Sequence, residues 1–420
     1  MLFRTRFATA AVAVGLVSGA GLVGTPAAGA QAVRPGGAAT ATATATVTAD
    51  RAAAVLARMS LAQRVGQLFM VGGPATGVGP AARRAVTTYH VGNVMLTGRS
   101  YAGVARTATV SAGLQRLTTT AATGGVPLFV ATDQEGGLVQ VLNGRGFSDM
   151  PTALRQGSLS PSSLRQRATS WAWQLRRAGV NMNLAPVLDT VPSARSARSN
   201  PPIGALDREY GFTPARVASR GTAFAQGMDA AGVEASVKHF PGLGRVRANT
   251  DTTGRVTDTT TTRRDAYVRP FAAAVRAGAP FVMMSSAYYT RIDAKSPAVF
   301  STKVIKGMLR DDLGFTGVVI SDDLGNARAV TRWSPGVRAV KFIRAGGDMV
   351  LTVNAGLLPA MYSSVLAEAR ADPAFRARVD ASALRVLQRK QARGLLPAPT
   401  APAALLPTGA RILWGSGRLD

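Results

Sequence analysis

The chain has 420 residues, 46% of them hydrophobic, with no cysteine, two histidines and a formal charge of +27. Such a length and apolar content can bury a large core, while the lack of cysteine excludes both a disulfide framework and a lipid-modified cysteine. The charge is Arg scattered along the chain, which argues against a dedicated nucleic-acid arm and fits either attraction to an anionic cell wall or a compositional bias toward Arg.

Residues 1–30 read as a secretory signal: Arg4 and Arg6 precede an apolar run from Ala8 to Val23, and Ala28-Gly29-Ala30 offers small residues for cleavage. The run is short of a comfortable ~20-residue span, so no stable membrane span is expected after cleavage. The expected address is extracytoplasmic, secreted or in a bacterial envelope. Residues 31–48 alternate Ala with Thr or Val after a Pro/Gly stretch and read as a low-complexity linker. Helical spacing follows from Ala49 to Val65, then a first strand from Gln67 to Val71. After it the pattern alternates. Strands are expected over Gly92–Leu96, Pro127–Thr132, Asn181–Leu188, Val233–Lys238, Phe281–Ser285, Gly317–Ser321 and Asp348–Val353. Helices are expected over Tyr101–Ala122, Ser160–Ala178, Pro214–Ala231, Asp265–Ala277, Lys303–Leu313, Val337–Ala345, Leu357–Arg370 and Ala381–Arg393. Residues 49–395 thus predict one α/β domain, a TIM-like (β/α)8 barrel, followed by a Pro/Ala-rich tail over 396–420. An open doubly wound sheet is the competitor, but the first Gly-rich turn lacks the G-x-G-x-x-G spacing of a dinucleotide site.

In such a barrel the chemistry sits where strands end. There the chain places Asp133-Gln134-Glu135-Gly136-Gly137, Asp189, Lys238-His239, Ser286 with Tyr288, Asp322-Asp323 and Asn354. This is a ring of acids with one Lys and one His. Two histidines and no cysteine leave no tight zinc site, and no metal or other cofactor is needed. Converging carboxylates with hydroxyl-binding donors suit sugar chemistry, one carboxylate attacking the anomeric carbon while a second group protonates the leaving oxygen. Asp322, following four apolar residues, is the expected reacting group, and Asp323 its capping or orienting neighbour. Lys238 is expected to pair with Asp133 or bind a hydroxyl, since a buried unpaired ammonium is costly. His90, at the start of the second strand, is expected to be structural.

Five motifs, DQEGG (Asp133–Gly137), NLAPVLD (Asn183–Asp189), DREYG (Asp207–Gly211), KHFPG (Lys238–Gly242) and SDDL (Ser321–Leu324), resemble in order those of family 3 glycoside hydrolases, above all the single-domain β-N-acetylhexosaminidases. The resemblance implies a TIM-like barrel, a retaining mechanism without cofactor, and a glycan containing N-acetylglucosamine as substrate. It places Asp322 as nucleophile, Asp133 and Arg208 at sugar hydroxyls, and Lys238 and His239 at further substrate contacts. Arg208 is alternatively a structural partner of Asp207 or Glu209.

One departure bears on catalysis. Members of this type carry an Asp-Ser-His triplet in the loop after KHFPG, its His acting as general acid/base; here the loop from Arg245 to Thr253 has no His. Asp251 is the carboxyl group it offers instead, with an ordering role in the Thr-rich loop as the alternative. The leading expectation is an exported retaining enzyme acting on cell-wall or chitin-derived glycans. The others are a catalytically impaired relative that binds wall glycans, and an anion-binding wall protein using the barrel as scaffold.

Overall fold

A computed structural model describes residues 51–397. The signal, the linker and all but the first two residues of the tail lie outside the described residues. Eight parallel strands form a ring: β1 (Phe69–Pro74), β2 (Asn93–Thr97), β3 (Phe129–Thr132), β4 (Met182–Asn183), β5 (Glu234–Phe240), β6 (Phe281–Met284), β7 (Val318–Ser321) and β8 (Val350–Thr352). Each pairs with the next from β1 to β7, and β8 pairs back onto β1. An isolated parallel bridge between Ile320 and Met349 closes the ring between β7 and β8. The expected TIM-like barrel is therefore the architecture, not the open sheet.

The period of two along each strand sorts the side chains. Met70, Met95, Phe129, Met182, Phe281 and Ile320 fill the barrel interior. Their neighbours Val71, Val94, Val130, Val282 and Val319 face outward and are buried in the main core under the helices. The base of the barrel is plugged by the helix Pro373–Ala392, whose Val386 joins the interior cluster together with Leu395. On the same helix Lys390 donates Nζ to Gln67 Oε1 and to Gly92 O, each at 2.8 Å, and burial drives its ammonium pKa well below the usual value.

Several boundaries move for local reasons. The helix expected over Ala49–Val65 is broken, because Ser60 forms a capping box with Gln63 and starts a new helix, Leu61–Gln67. The first strand then begins at Phe69 and runs through Gly72 and Gly73, past the expected end at Val71. Gly72 belongs inside it because a Cβ there would meet Val353 O at 2.3 Å. The helix expected over Tyr101–Ala122 ends at Gln115, and a separate turn, Thr120–Thr123, is capped by Thr119. The fourth strand is only Met182–Asn183, with a further bridge from Val187 to Lys238. The last helix begins at Pro373, ahead of the expected Ala381, because the Asp372 carboxylate caps the amides of Ala374 and Phe375.

Candidate active site

The polar centre of the C-terminal face is built from the end of β5 and the loops that follow β3, β4, β5 and β7. After β3 the chain turns into a small hairpin, Gln134–Gly136 with Val139–Gln140, that projects Asp133 and Glu135 toward the barrel axis. Glu135 is 3% exposed and accepts two hydrogen bonds from Arg208, from Nε at 2.8 Å and from Nη2 at 2.7 Å. Lys238 Nζ lies 2.6 Å from Glu135 and 2.6 Å from Asp133. Burial alone would raise the Glu135 pKa, but the Arg208 and Lys238 cations overcome it and hold the carboxyl down to about 2. Burial opposes the Arg208 charge too, yet Glu135, Asp133 and Asp189 raise its pKa above the ordinary value. For Lys238, burial is likewise outweighed by Asp133 and Glu135, and the ammonium pKa is raised. Arg208 thus pairs with neither Asp207 nor Glu209. It follows a short turn that ends with Asp207 in the left-handed region at φ 54°, and its Nη1 donates to Pro202 O at 2.7 Å.

Lys238 and His239 lie inside β5, not after it, since the strand continues to Phe240. Successive residues of a regular strand point to opposite faces. Here the pairing of β5 with β6 is irregular between Val237 and Phe240, and the irregularity lets both side chains line the same cavity. His239 Nδ1 lies 2.7 Å from Asp189 Oδ2. The other Asp189 oxygen accepts the amides of His239 at 3.2 Å and Leu243 at 2.7 Å. Asp189 is fully buried, so it fixes both the imidazole and the start of the next loop.

Asp322 follows β7 directly, with its backbone N–H donating to Met284 O at 3.3 Å and its Oδ1 accepting the Asp323 amide at 2.8 Å. Asp323 is turned to structure, accepting the amides of Gly325 at 2.8 Å, Asn326 at 3.0 Å and Val353 at 2.9 Å. Facing them is Asp251, at the pocket mouth and open to solvent on one side. The protein packed around its other sides, and then the nearby Asp322 carboxylate, raise its pKa to about 6, while His239 and Arg208 pull it down.

All six residues singled out from the sequence, Asp133, Arg208, Lys238, His239, Asp251 and Asp322, line one cavity of about 350 Å³ on the C-terminal face. Its remaining walls are mostly apolar, including Met95, Leu184, Met283 and Leu351 from the barrel interior. A volume of that order suits a single sugar ring with its substituents. Two residues that complete the site were given no role from the sequence, Glu135 and Asp189. Both sit inside the recognised motifs, and their partners lie far along the chain. His90 is remote from this face; it ends the helix Pro80–Tyr89, and its Nδ1 lies 2.7 Å from Ala122 O. Among the described residues no group of three or more His, Asp or Glu is arranged to hold a metal ion.

This geometry agrees with the comparisons to known proteins. Residues 60–389 match the glycosyl hydrolase family 3 N terminal domain. A beta-hexosaminidase of Xylella fastidiosa is 36% identical over 286 residues, 66% of this chain and 80% of that protein. The crystal structure of a β-N-acetylhexosaminidase from Beutenbergia cavernae superposes with a TM-score of 0.79 at 53% identity, covering 80% of this chain and 99% of that one. A family 3 β-N-acetylglucosaminidase from Paenibacillus superposes with a TM-score of 0.73 at 32% identity, over 85% of this chain and 66% of that one. With the barrel, the strand-end carboxylates and these matches in agreement, the chain belongs to glycosyl hydrolase family 3 and is a hydrolase of O-glycosyl bonds.

Proposed function

We propose that the protein is an exported, retaining β-N-acetylhexosaminidase that removes non-reducing N-acetylglucosamine from cell-wall or chitin-derived glycans. The observation that carries this reading is that Asp251, its pKa raised to about 6, opens into the same cavity as Asp322. A retaining glycosidase needs two carboxyl groups flanking the scissile bond, one protonated and one charged. In the first step the Asp322 carboxylate forms an ester bond to the anomeric carbon as the C–O bond to the leaving group breaks, and the leaving oxygen takes the Asp251 proton. In the second, Asp251 removes a proton from water, the water oxygen bonds to the anomeric carbon, and the Asp322 ester opens. Asp133, Arg208, Lys238 and His239 hold the ring hydroxyls. The pairs described above fix these side chains before substrate arrives, so their ordering entropy is already spent. The apparent signal in residues 1–30 and the positive charge support an extracytoplasmic location near an anionic wall.

A second reading of the proton donor is favoured by the Asp189–His239 pair, in which a buried carboxylate orients an imidazole that lines the cavity. Asp251 is preferred because its pKa responds to Asp322 ahead of any other charged group. The test is release of N-acetylglucosamine from a β-1,4-linked disaccharide, with the anomer of the first product followed by NMR. Initial release of the β-anomer is expected; the α-anomer, or no turnover of either disaccharide or nitrophenyl glycoside, would overturn the reading.

A further inference from the structure

One part of the barrel carries cations without acids. Residues 51–132 hold eight Arg and no Asp or Glu, so the helices before and between β1, β2 and β3 have no carboxylate of their own to neutralise them. The helix Pro161–Arg177, which packs beside the helix Gly103–Gln115, brings no acid either. Four of the eight Arg are committed: Arg51 to the carbonyls of Leu396 and Pro397, Arg64 to Asp380, Arg84 to Tyr89, and Arg99 to the carbonyls of Leu138 and Gln140. Arg83, Arg106 and Arg116 are different. They are exposed and have no side-chain hydrogen bond, ion pair or ring contact among the described residues, yet all three line one cavity of about 370 Å³.

Local structure brings them together. Along Gly103–Gln115 the lining residues Arg106, Val110, Gly113 and, just past its end, Arg116 and Leu117 recur every three or four positions, which sets them on one helix face. Arg83 faces them from the first turn of Pro80–Tyr89, and Val78 from the loop after β1. Gly113 permits the close approach: a Cβ there would meet Val78 Cγ2 at 2.9 Å, with Arg116 Nη2 only 3.6 Å away. Buried Val110 and Leu117 form the floor, and the Thr76 and Thr109 hydroxyls stand beside the guanidinium groups.

We propose that this cavity is an anchoring site for the phosphate group of a polyol-phosphate polymer in the cell wall. The choice of a wall polymer rests on the extracytoplasmic location proposed above; the phosphate chemistry does not. Guanidinium groups give parallel N–H donors to phosphate oxygens, and three of them around one site match an acceptor with several oxygens to share. The apolar floor takes the short carbon skeleton between phosphates. No aromatic side chain lines the cavity, so it lacks the stacking surface that single-stranded nucleic acid uses. The cavity shares no lining residue with the catalytic pocket, so polymer held here leaves that pocket free for its glycan.

The test is calorimetric binding at low salt of three probes: glycerol phosphate, poly(glycerol phosphate), and single-stranded DNA with the same number of phosphates. Wild type is expected to bind poly(glycerol phosphate) more tightly than the DNA. The combined variant Arg83→Gln, Arg106→Gln, Arg116→Gln should lose affinity for it on the order of 100-fold, as removal of several charge-assisted contacts would. A control, Arg167→Gln, Arg177→Gln, Arg376→Gln, removes the same charge from exposed side chains outside the cavity and should lose far less. Binding of the monomer that is lost in the first variant identifies a single-phosphate pocket, and binding of the polymer alone identifies a run of contacts along the helix; either supports the proposal. An equal loss in the two variants would reduce the effect to net charge and overturn it, as would DNA bound as tightly as the polymer, or no binding by wild type. Hydrolysis of the neutral N-acetylglucosamine disaccharide should be unchanged in the first variant, which reports an intact fold. If wild type hydrolyses nothing, the proposed function fails separately, circular dichroism reports the fold, and the binding comparison still decides. Should the combined variant misfold, the three single variants, each expected to lose part of the affinity, decide in its place.

Discussion

The backbone N–H of Arg328 donates to the carbonyl oxygen of Asp251 at 3.1 Å, tying the acid-bearing loop to the loop that follows β7. The next amide repeats the tie, Ala329 donating to Thr250 O at 3.0 Å. Asp251 and Asp322 are therefore placed by two segments that brace each other, and the acid does not depend on a free-standing loop for its position.

Removal of Asp322, the proposed nucleophile, should nearly abolish turnover. Asp322→Asn is expected to lower kcat on the order of 10⁴-fold for both nitrophenyl and disaccharide substrates, as removal of a covalent catalyst does. A slow fluorinated glycoside should label Asp322 in the wild type, read by peptide mass spectrometry; a label on another carboxylate would reassign the role.

Asp251→Asn should separate the substrates. Proton donation matters most for poor leaving groups, so disaccharide hydrolysis is expected to fall on the order of 10²- to 10⁴-fold while formation of the glycosyl intermediate from a nitrophenyl glycoside changes little. The acid must be protonated to act, so disaccharide turnover should decline as pH rises through about 6, and the decline should be absent in the variant. If instead it persists in Asp251→Asn and disappears in His239→Asn, the imidazole is the donor.

Glu135→Gln should cost stability. It leaves Arg208 and Lys238 buried with one counter-charge fewer, which typically costs about 3–5 kcal/mol. The folded pKa of Glu135 is lowered to about 2, so its contribution is full above the unfolded value of 4.5 and is lost as pH falls toward 2. Chemical denaturation of wild type and variant should therefore converge in acid and differ most at neutral pH.

Glu209 should show the opposite sign. Its carboxylate is fully buried and neither oxygen has a hydrogen-bond partner among the described residues. Burial is the main cause that raises its pKa to about 7. The folded state then holds a proton that the unfolded chain releases near 4.5, so stability falls as pH rises between the two values, and the full cost is present above 7. Glu209→Gln, neutral throughout, is expected to be more stable than wild type at pH 8 by on the order of 1–3 kcal/mol, with the gain gone at pH 4. Equal stabilities at pH 8 would show that the side chain finds solvent or a partner when charged.

The barrel was legible in the sequence because its cause is local. A strand buried on both faces reads as a short apolar run, eight such runs alternate with amphipathic helices, and strictly alternating elements leave few other topologies. The residues at the run ends were legible for the same reason, since the end of a strand is a position along the chain. Asp133, Lys238, His239 and Asp322 could be read off that way, and Arg208 and Asp251 through the motif order that surrounds them. Helix starts at Ser60 and Asp372 were also written locally, in a capping box and a cap before proline, although hydrophobic spacing alone passed over them.

What only the tertiary structure decided is who meets whom. Arg208 has acids on both sides in sequence yet pairs with Glu135, 73 positions away, and Lys238, expected to pair with Asp133 or bind a hydroxyl, meets both Asp133 and Glu135. An ion pair is chosen by where barrel closure brings two side chains, so adjacency in sequence carried no information about it. The irregular register of β5 against β6 is likewise a property of two strands together, and through it both Lys238 and His239 face the pocket. Asp189 became the partner of His239 because β4 and β5 are neighbours in the ring. The raised pKa of Asp251 has the same origin: burial and the Asp322 charge exist only once the two loops have met.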